Sequence, residues 1–357
     1  MNLSSLLLNK LLLISLIIFG VSCSSNNENS SDEKSNWNIS NGVEFPENRP
    51  LSRAEDGVML SDGTLIVADQ RHGLVKISVS GEVEPFGNFQ SLGYQHSPPK
   101  VESGPNGVHL TPDKQYVITA DVFSGIIYKS SIANNSTEII YSHKYGVNTA
   151  RQDSTGALWF TQSTENTNEE RLFGALNQTI SDGVLYRLTS SEDSNLSKTP
   201  QVILAGLNFA NGFYIDEERN KLYLSEMMSN RVLSFDLDTS SGSISNQRIL
   251  AAIPTPDNME LNHDGLLWVA SPLSNQIYAI DVETGEFHVA FDAQTKIGLD
   301  NMKEGVRRIG IGQGFADLLS PELTGDMPGL LTGMIIGAKQ EPFYVANLGQ
   351  ALIKVDR

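Results

Sequence analysis

Disulfide chemistry is closed to the folded part of this chain. One cysteine, Cys23, stands among 357 residues, so core packing and bound ions must do what cross-links do in small exported domains. Basic residues are scarce as well: 25 Lys and Arg face 42 Asp and Glu, for a net charge of −17. That balance excludes the basic face that nucleic-acid phosphates require and draws cations towards any acidic cleft. Long apolar periodicities are missing too. Beyond the N-terminus, Val, Ile, Leu, Tyr and Trp come in short runs bounded by Gly, Asp, Asn or Ser, which suits strands and not a long helix.

The one longer apolar stretch, 11–21, follows Lys10 and is too short to span a bilayer. Small Ser22 and then Cys23 come next, and Gly20-Val21-Ser22-Cys23 resembles a bacterial lipoprotein signal. Residues 1–22 are therefore expected to be removed and Cys23 lipidated, which places the protein in the cell envelope, on the outer membrane or cell surface or on the periplasmic face. An ordinary cleaved secretion signal is the alternative. Residues 23–41 are rich in Ser, Asn, Asp and Glu and read as a disordered tether. Residues 42–357 are assigned to one domain, expected to be a monomer.

What is present is a repeat. Glu55-Asp56-Gly57-Val58, Asn106-Gly107-Val108, Asn148-Thr149-Ala150, Asn211-Gly212-Phe213 and Asp257-Asn258-Met259 each lead through a polar turn into an alternating apolar strand. The strands after these turns lie at 65–69, 116–121, 158–162, 222–226 and 267–271, and a sixth copy lies at 343–347. Copies recurring about every 40 to 60 residues, each with several strand signals, fit the blades of a six-bladed β-propeller better than solenoid turns. The first blade reads as 58–60, 65–69, 74–77 and 83–86, joined by Asp-Gly and Ser-Gly turns. Blade six ends with the chain, so it is expected to borrow a strand from 43–45. Two stretches break the rhythm, 163–182 with a helix-like 169–174, and 295–332. Both are expected to be lids, the second burying Met302, Val306, Ile309, Ile311 and Phe315.

In a propeller the innermost strands line a central channel, so Glu55, Asn106, Asn148, Asn211 and Asp257 are expected to converge at one mouth. Two carboxylates and three carboxamides, with no imidazole or thiolate, offer the hard oxygens that calcium or manganese prefers and zinc does not. Any one Asn or Asp before Gly also makes an ordinary turn; five in matching phase point to a shared site.

From these residues the chain, over about 54–356, resembles the senescence marker protein, regucalcin and gluconolactonase family, and more distantly the paraoxonases. The resemblance implies a six-bladed propeller with a catalytic divalent ion, commonly calcium, with manganese or magnesium as alternatives. It implies Glu55, Asn148, Asn211 and Asp257 as ligands, Asn106 as a substrate-facing residue, and Asn258 near the ion, its water or the substrate. None of His72, His96, His109, His143, His263 and His288 falls at a ring position, so no paraoxonase-like histidine dyad is visible. His109 reads as a packed core histidine, and Asp121 and Glu226 as either lumen-facing or solvated strand ends.

The function implied is hydrolysis of sugar lactones or related esters, the metal polarising the carbonyl and Asp257 acting as general base or nucleophile. A non-catalytic surface propeller binding a glycan or protein is the rival reading, and a metal-independent, strictosidine-synthase-like propeller is the third.

Overall fold

The computed structural model describes residues 36–97, 100–101, 103–166, 172, 174–189, 196–197 and 199–357. The expected signal segment, Cys23 and most of the expected tether lie outside the described residues, as do most of residues 169–174.

Short alternating runs become six radially arranged antiparallel sheets, numbered here as blades. Blade one is Gly57–Met59, Leu65–Asp69, Gly73–Ile77 and Val83–Phe86, within one residue of the sequence expectation at every strand. The inner strands of blades two to five are Pro105–Leu110, Ala150–Gln152, Ala210–Asp216 and Met259–Leu261. Apolar clusters fill the spaces between neighbouring blades. Leu65, Val67, Ile335 and Tyr344 join blades one and six, for example, and Trp159, Leu185, Phe213 and Leu224 join blades three and four. Second strands such as Leu65–Asp69 are buried along their whole length because both faces carry a neighbouring blade.

Blade six closes the circle. Its own strands are Leu331–Ile336, Phe343–Asn347 and Leu352–Val355, and Gly42–Phe45 from the other end of the chain completes it. Gly42 pairs with Val355 and Phe45 with Leu352, the closure read from the sequence, and it covers a sheet edge. The fold also begins earlier than expected. Trp37–Asn38, inside the stretch assigned to the tether, pairs in parallel with the outer edge of blade five, and the Trp37 ring packs 5.2 Å from Phe343 and 6.0 Å from Trp268.

The interruption between blades five and six holds the helix Lys296–Ile309, which the short apolar runs did not announce. Thr295 caps it by accepting from the amide of Gly298 at 2.9 Å, and Arg307 and Arg308 sit in its last turn, where they favour the helix dipole. Of the apolar residues expected to be buried there, Ile309 and Phe315 are buried and Met302 partly so, whereas Val306 and Ile311 are exposed.

The ends of the second strands are neither lumen-facing nor solvated. The buried carboxylate of Asp121 accepts from the amides of Gly104 and Phe123, both at 3.0 Å, and Glu226 holds the amide of Asn208 at 2.8 Å and Arg231 at 2.6 Å. Asp69 clasps the amide of Ser52 at 2.8 Å in the same way. Each fixes the segment entering its blade, and with it the opening residue that follows.

Candidate active site at the mouth of the propeller

All five opening residues line one cavity. Glu55, Asn106, Asn148, Asn211 and Asp257 share it with Arg53 and Thr332, and each of the five is buried. Their convergence follows from a repeated hydrogen-bond phase. The Asn148 amide donates to Thr161 O and Thr161 N to Thr149 O, and Asp257 N to Ala270 O and Ala270 N to Asn258 O, all at 2.9 Å. The Asn-Gly pairs of blades two and four act differently from hairpin turns. Each lies at a register shift in its ladder, and bulges of this kind re-aim a side chain. A Cβ on Gly107 would stand 2.9 Å from the Cα of Thr149, and one on Gly212 2.8 Å from the Cα of Asn258. Glycine lets adjacent inner strands approach at the hub.

The polar atoms divide into those satisfied by protein and those left open. Asn258 Nδ2 donates to Glu55 Oε1 at 2.9 Å, Thr149 Oγ1 to Asn148 Oδ1 at 3.1 Å, and Thr332 Oγ1 to the Glu55 carbonyl at 2.8 Å. Arg53 Nη2 donates to Asn106 Oδ1 at 2.9 Å and Nη1 to the Pro105 carbonyl at 2.7 Å, while Asn106 Nδ2 donates to the Asn148 carbonyl at 3.2 Å. Glu55 Oε2 and Asn211 Oδ1 are buried acceptors with no hydrogen-bond partner. Buried oxygens of this kind are rare unless something else satisfies them.

Electrostatics point the same way. Burial, then the charge of Asp257, pushes the Glu55 carboxyl up to about 8. Asp257 is held well above the usual carboxylate range by burial, against a hydrogen bond from Asn211 and with Asp56 adding to the rise. Asp56 is raised by burial and by Glu55. Three neighbouring buried carboxyls thus favour either protons or a cation. Among the described residues no group of three or more His, Cys, Asp and Glu side chains forms a metal cluster. The fit to a hard divalent ion rests on two carboxylates together with amide oxygens, two of these donors being the orphaned Glu55 Oε2 and Asn211 Oδ1.

Glu55, Asn148, Asn211 and Asp257 are brought together as the sequence suggested. Asn106 lines the cavity, but its amide is bonded to Arg53 and Asn148. Asn258, expected near the ion, its water or the substrate, does not line the cavity and donates to Glu55 Oε1 beside it. No described histidine lines the cavity. His109, buried on the inner strand of blade two, lies 3.8 Å from Asp56 and opens towards a separate space at the other end of the channel.

Two features were not legible. Arg53, in a left-handed conformation with φ 57°, places a guanidinium beside the ring. It belongs to no repeat, since only its position two residues before Glu55 marks it. The second is the junction between the two expected lids. The two rhythm-breaking stretches meet over the mouth: the Phe315 amide donates to Leu176 O at 2.8 Å and the Gly314 amide to Asn177 O at 3.0 Å, with a bridge between Gln178 and Gln313. Leu172, Leu176, Phe209, Met227 and Phe315 form a single apolar cluster there. The space left over the ring holds about 70 Å3 accessible to water.

Comparison with known proteins agrees with this architecture. Residues 139–296 match the family described as "SMP-30/Gluconolactonase/LRE-like region", a span that contains Asn148, Asn211, Asp257 and Asn258. A gluconolactonase from Xanthomonas campestris superposes with TM-score 0.57 at 15% identity, over 86% of this chain and 87% of its own. Regucalcin, a calcium-binding protein from Agrobacterium tumefaciens, superposes with TM-score 0.57 at 12% identity, over 90% of this chain and 95% of its own. These likenesses show the fold. A curated relative, strictosidine synthase-like 13 of Arabidopsis thaliana, is 27% identical over 116 residues, 32% of this chain, and the match spans about a quarter of that relative's length (27%).

Proposed function

From an SMP-30/gluconolactonase/LRE-like region set in a six-bladed propeller, we propose that the protein is a divalent-cation-dependent hydrolase of lactones or related esters. The observation that carries this is the pair of orphaned buried oxygens, Glu55 Oε2 and Asn211 Oδ1, facing one cavity with Asn148 and Asp257. Glu55, Asn148, Asn211 and Asp257 would hold the ion, with calcium first and manganese or magnesium as alternatives. When bound, such an ion supplies Lewis-acid stabilisation to a carbonyl oxygen.

The chain's own residues supply the rest. Asp257 takes the proton of an attacking water or attacks the carbonyl carbon itself. Asn258 fixes the Glu55 carboxylate through Oε1. Arg53, held by Asn106 and the Pro105 carbonyl, keeps a positive charge beside the carboxylate product. The apolar cap limits bulk water, which strengthens each of these interactions.

Titration calorimetry with calcium, paired with pH-stat assays on a lactone and aryl-ester panel, tests the proposal. One ion per chain and metal-dependent turnover are expected, with Asp257→Asn lowering kcat about 10²- to 10⁴-fold. Tight ion binding without turnover of any substrate would instead favour a non-catalytic surface propeller. The Arabidopsis relative supports a second reading, a metal-independent strictosidine-synthase-like propeller, which predicts no heat of ion binding at all.

A further inference from the structure

A sugar lactone carries hydroxyls around its ring, and each needs a hydrogen-bond partner once removed from water. The walls over the ring offer none among the described residues. Leu176, Phe209, Met227, Phe315, Leu319 and Leu330 line the cavity above the polar floor. The floor is largely committed: Arg53 is bonded through Nη1 and Nη2, Asn106 through both ends of its amide, and the Thr332 hydroxyl to the Glu55 carbonyl. The oxygens left open, Glu55 Oε2 and Asn211 Oδ1, lie with Asn148 and Asp257 in the proposed cation site, so with an ion bound they are taken up by it and not by ring hydroxyls. The walls are also held in place, because backbone hydrogen bonds between 176–177 and 314–315 tie the two halves of the cap together.

We propose that the substrate is a lactone, or an ester, bearing an apolar alkyl substituent and few or no free hydroxyls. Its carbonyl meets the ring while the alkyl chain lies against Leu176, Phe209, Met227, Phe315 and Leu319. This rests on the hydrolase reading and narrows it away from sugar lactones. In the reaction water adds to the carbonyl carbon, the bond to the ring oxygen breaks, and a hydroxy-carboxylate and a proton leave. The methionine thioether adapts to chains of differing shape, so selectivity follows apolar area and not one fixed outline.

The test uses the calcium-loaded full chain and a series of δ-lactones with methyl to hexyl substituents, set against glucono-1,5-lactone. The expected kcat/KM rises roughly fourfold per methylene until the cavity is filled, and the sugar lactone falls at least about tenfold below the best alkyl lactone. A flat or falling series, or glucono-1,5-lactone at parity, overturns the proposal. Leu319→Gln, at a half-buried wall position, is expected to raise KM for the hexyl lactone and shrink the selectivity ratio at unchanged Tm; an unchanged ratio overturns it. Ligand-observed NMR with 2-hexylcyclopentanone separates the two levels of the argument. Saturable binding without turnover of any lactone keeps the apolar ligand and rejects hydrolysis. Neither binding nor turnover rejects both.

Discussion

Asn258 and Glu55, 203 positions apart in the chain, are joined by a 2.9 Å hydrogen bond from the Asn258 amide to Oε1 of the carboxylate. The bond satisfies one oxygen of Glu55 and leaves Oε2 as a buried acceptor without a partner. Asn258→Ala removes that restraint while leaving the four proposed ligands in the chain. Loss of such an outer partner weakens metal binding about 10- to 100-fold, so the calcium Kd measured by calorimetry is expected to rise by that factor. An unchanged Kd would mean that the orientation of Glu55 does not matter to the ion.

Glu55→Gln should have opposite effects with and without calcium. Burial and the nearby charge of Asp257 disfavour an ionised Glu55, so in EDTA the neutral amide relieves an unfavourable group and Tm is expected to increase by roughly 2–4 °C. With saturating calcium the variant lacks one proposed anionic ligand, and the rise in Tm expected of the parent should be mostly lost. Differential scanning calorimetry in both buffers reads the crossing. Parallel shifts in the two buffers would show that Glu55 is not part of the cation site.

The strands and the convergence of the ring were legible because they depend on local patterns. Two-residue alternation set the runs, and Asp-Gly or Ser-Gly pairs set the hairpins, so blade one could be read within a residue. The borrowed strand at Gly42–Phe45 followed from an unpaired blade six. Other features rest on contacts that no local pattern encodes. Trp37 resembles tether in composition but finds Trp268 and Phe343 in space. The helix Lys296–Ile309 is amphipathic but leaves Val306 and half of Ile297 exposed, so a reading that expected every apolar residue of 295–332 to be buried did not find its face. Arg53 is a single cation outside every repeat. Gly107 and Gly212 read as turn glycines, whereas their function is to admit the next blade's backbone.

Stability should depend on pH with a sign set by Glu55. Its folded-state carboxyl is raised to about 8 from a starting value of 4.5 when no cation is present. A raised value means that folding favours the protonated form, so this contribution is fully present below about 4.5 and is lost as the pH climbs through about 8. Calcium-free protein is therefore expected to show a falling Tm between pH 5 and pH 8. Calcium, which binds the ionised form, should flatten or reverse that slope. A calcium-free Tm that rises across this window contradicts the assignment.

Two alanine substitutions separate the floor of the site from its roof. A Cβ on Gly212 would lie 2.8 Å from the Cα of Asn258 and 2.9 Å from the Asp257 carbonyl, both backbone atoms of the neighbouring inner strand. Gly212→Ala must therefore push blades four and five apart at the ring, and calcium affinity is expected to fall along with Tm. A Cβ on Gly314 would lie 2.0 Å from the Leu176 carbonyl, where the two halves of the cap are joined. Gly314→Ala should open that junction and loosen the walls without moving any proposed ligand. Its calcium Kd is expected to match the parent's, while KM for an alkyl lactone increases at least about fivefold through lost apolar contact. Measuring calcium Kd and KM on both variants checks the division, because a cap that also organised the ring would make the two substitutions weaken ion binding alike.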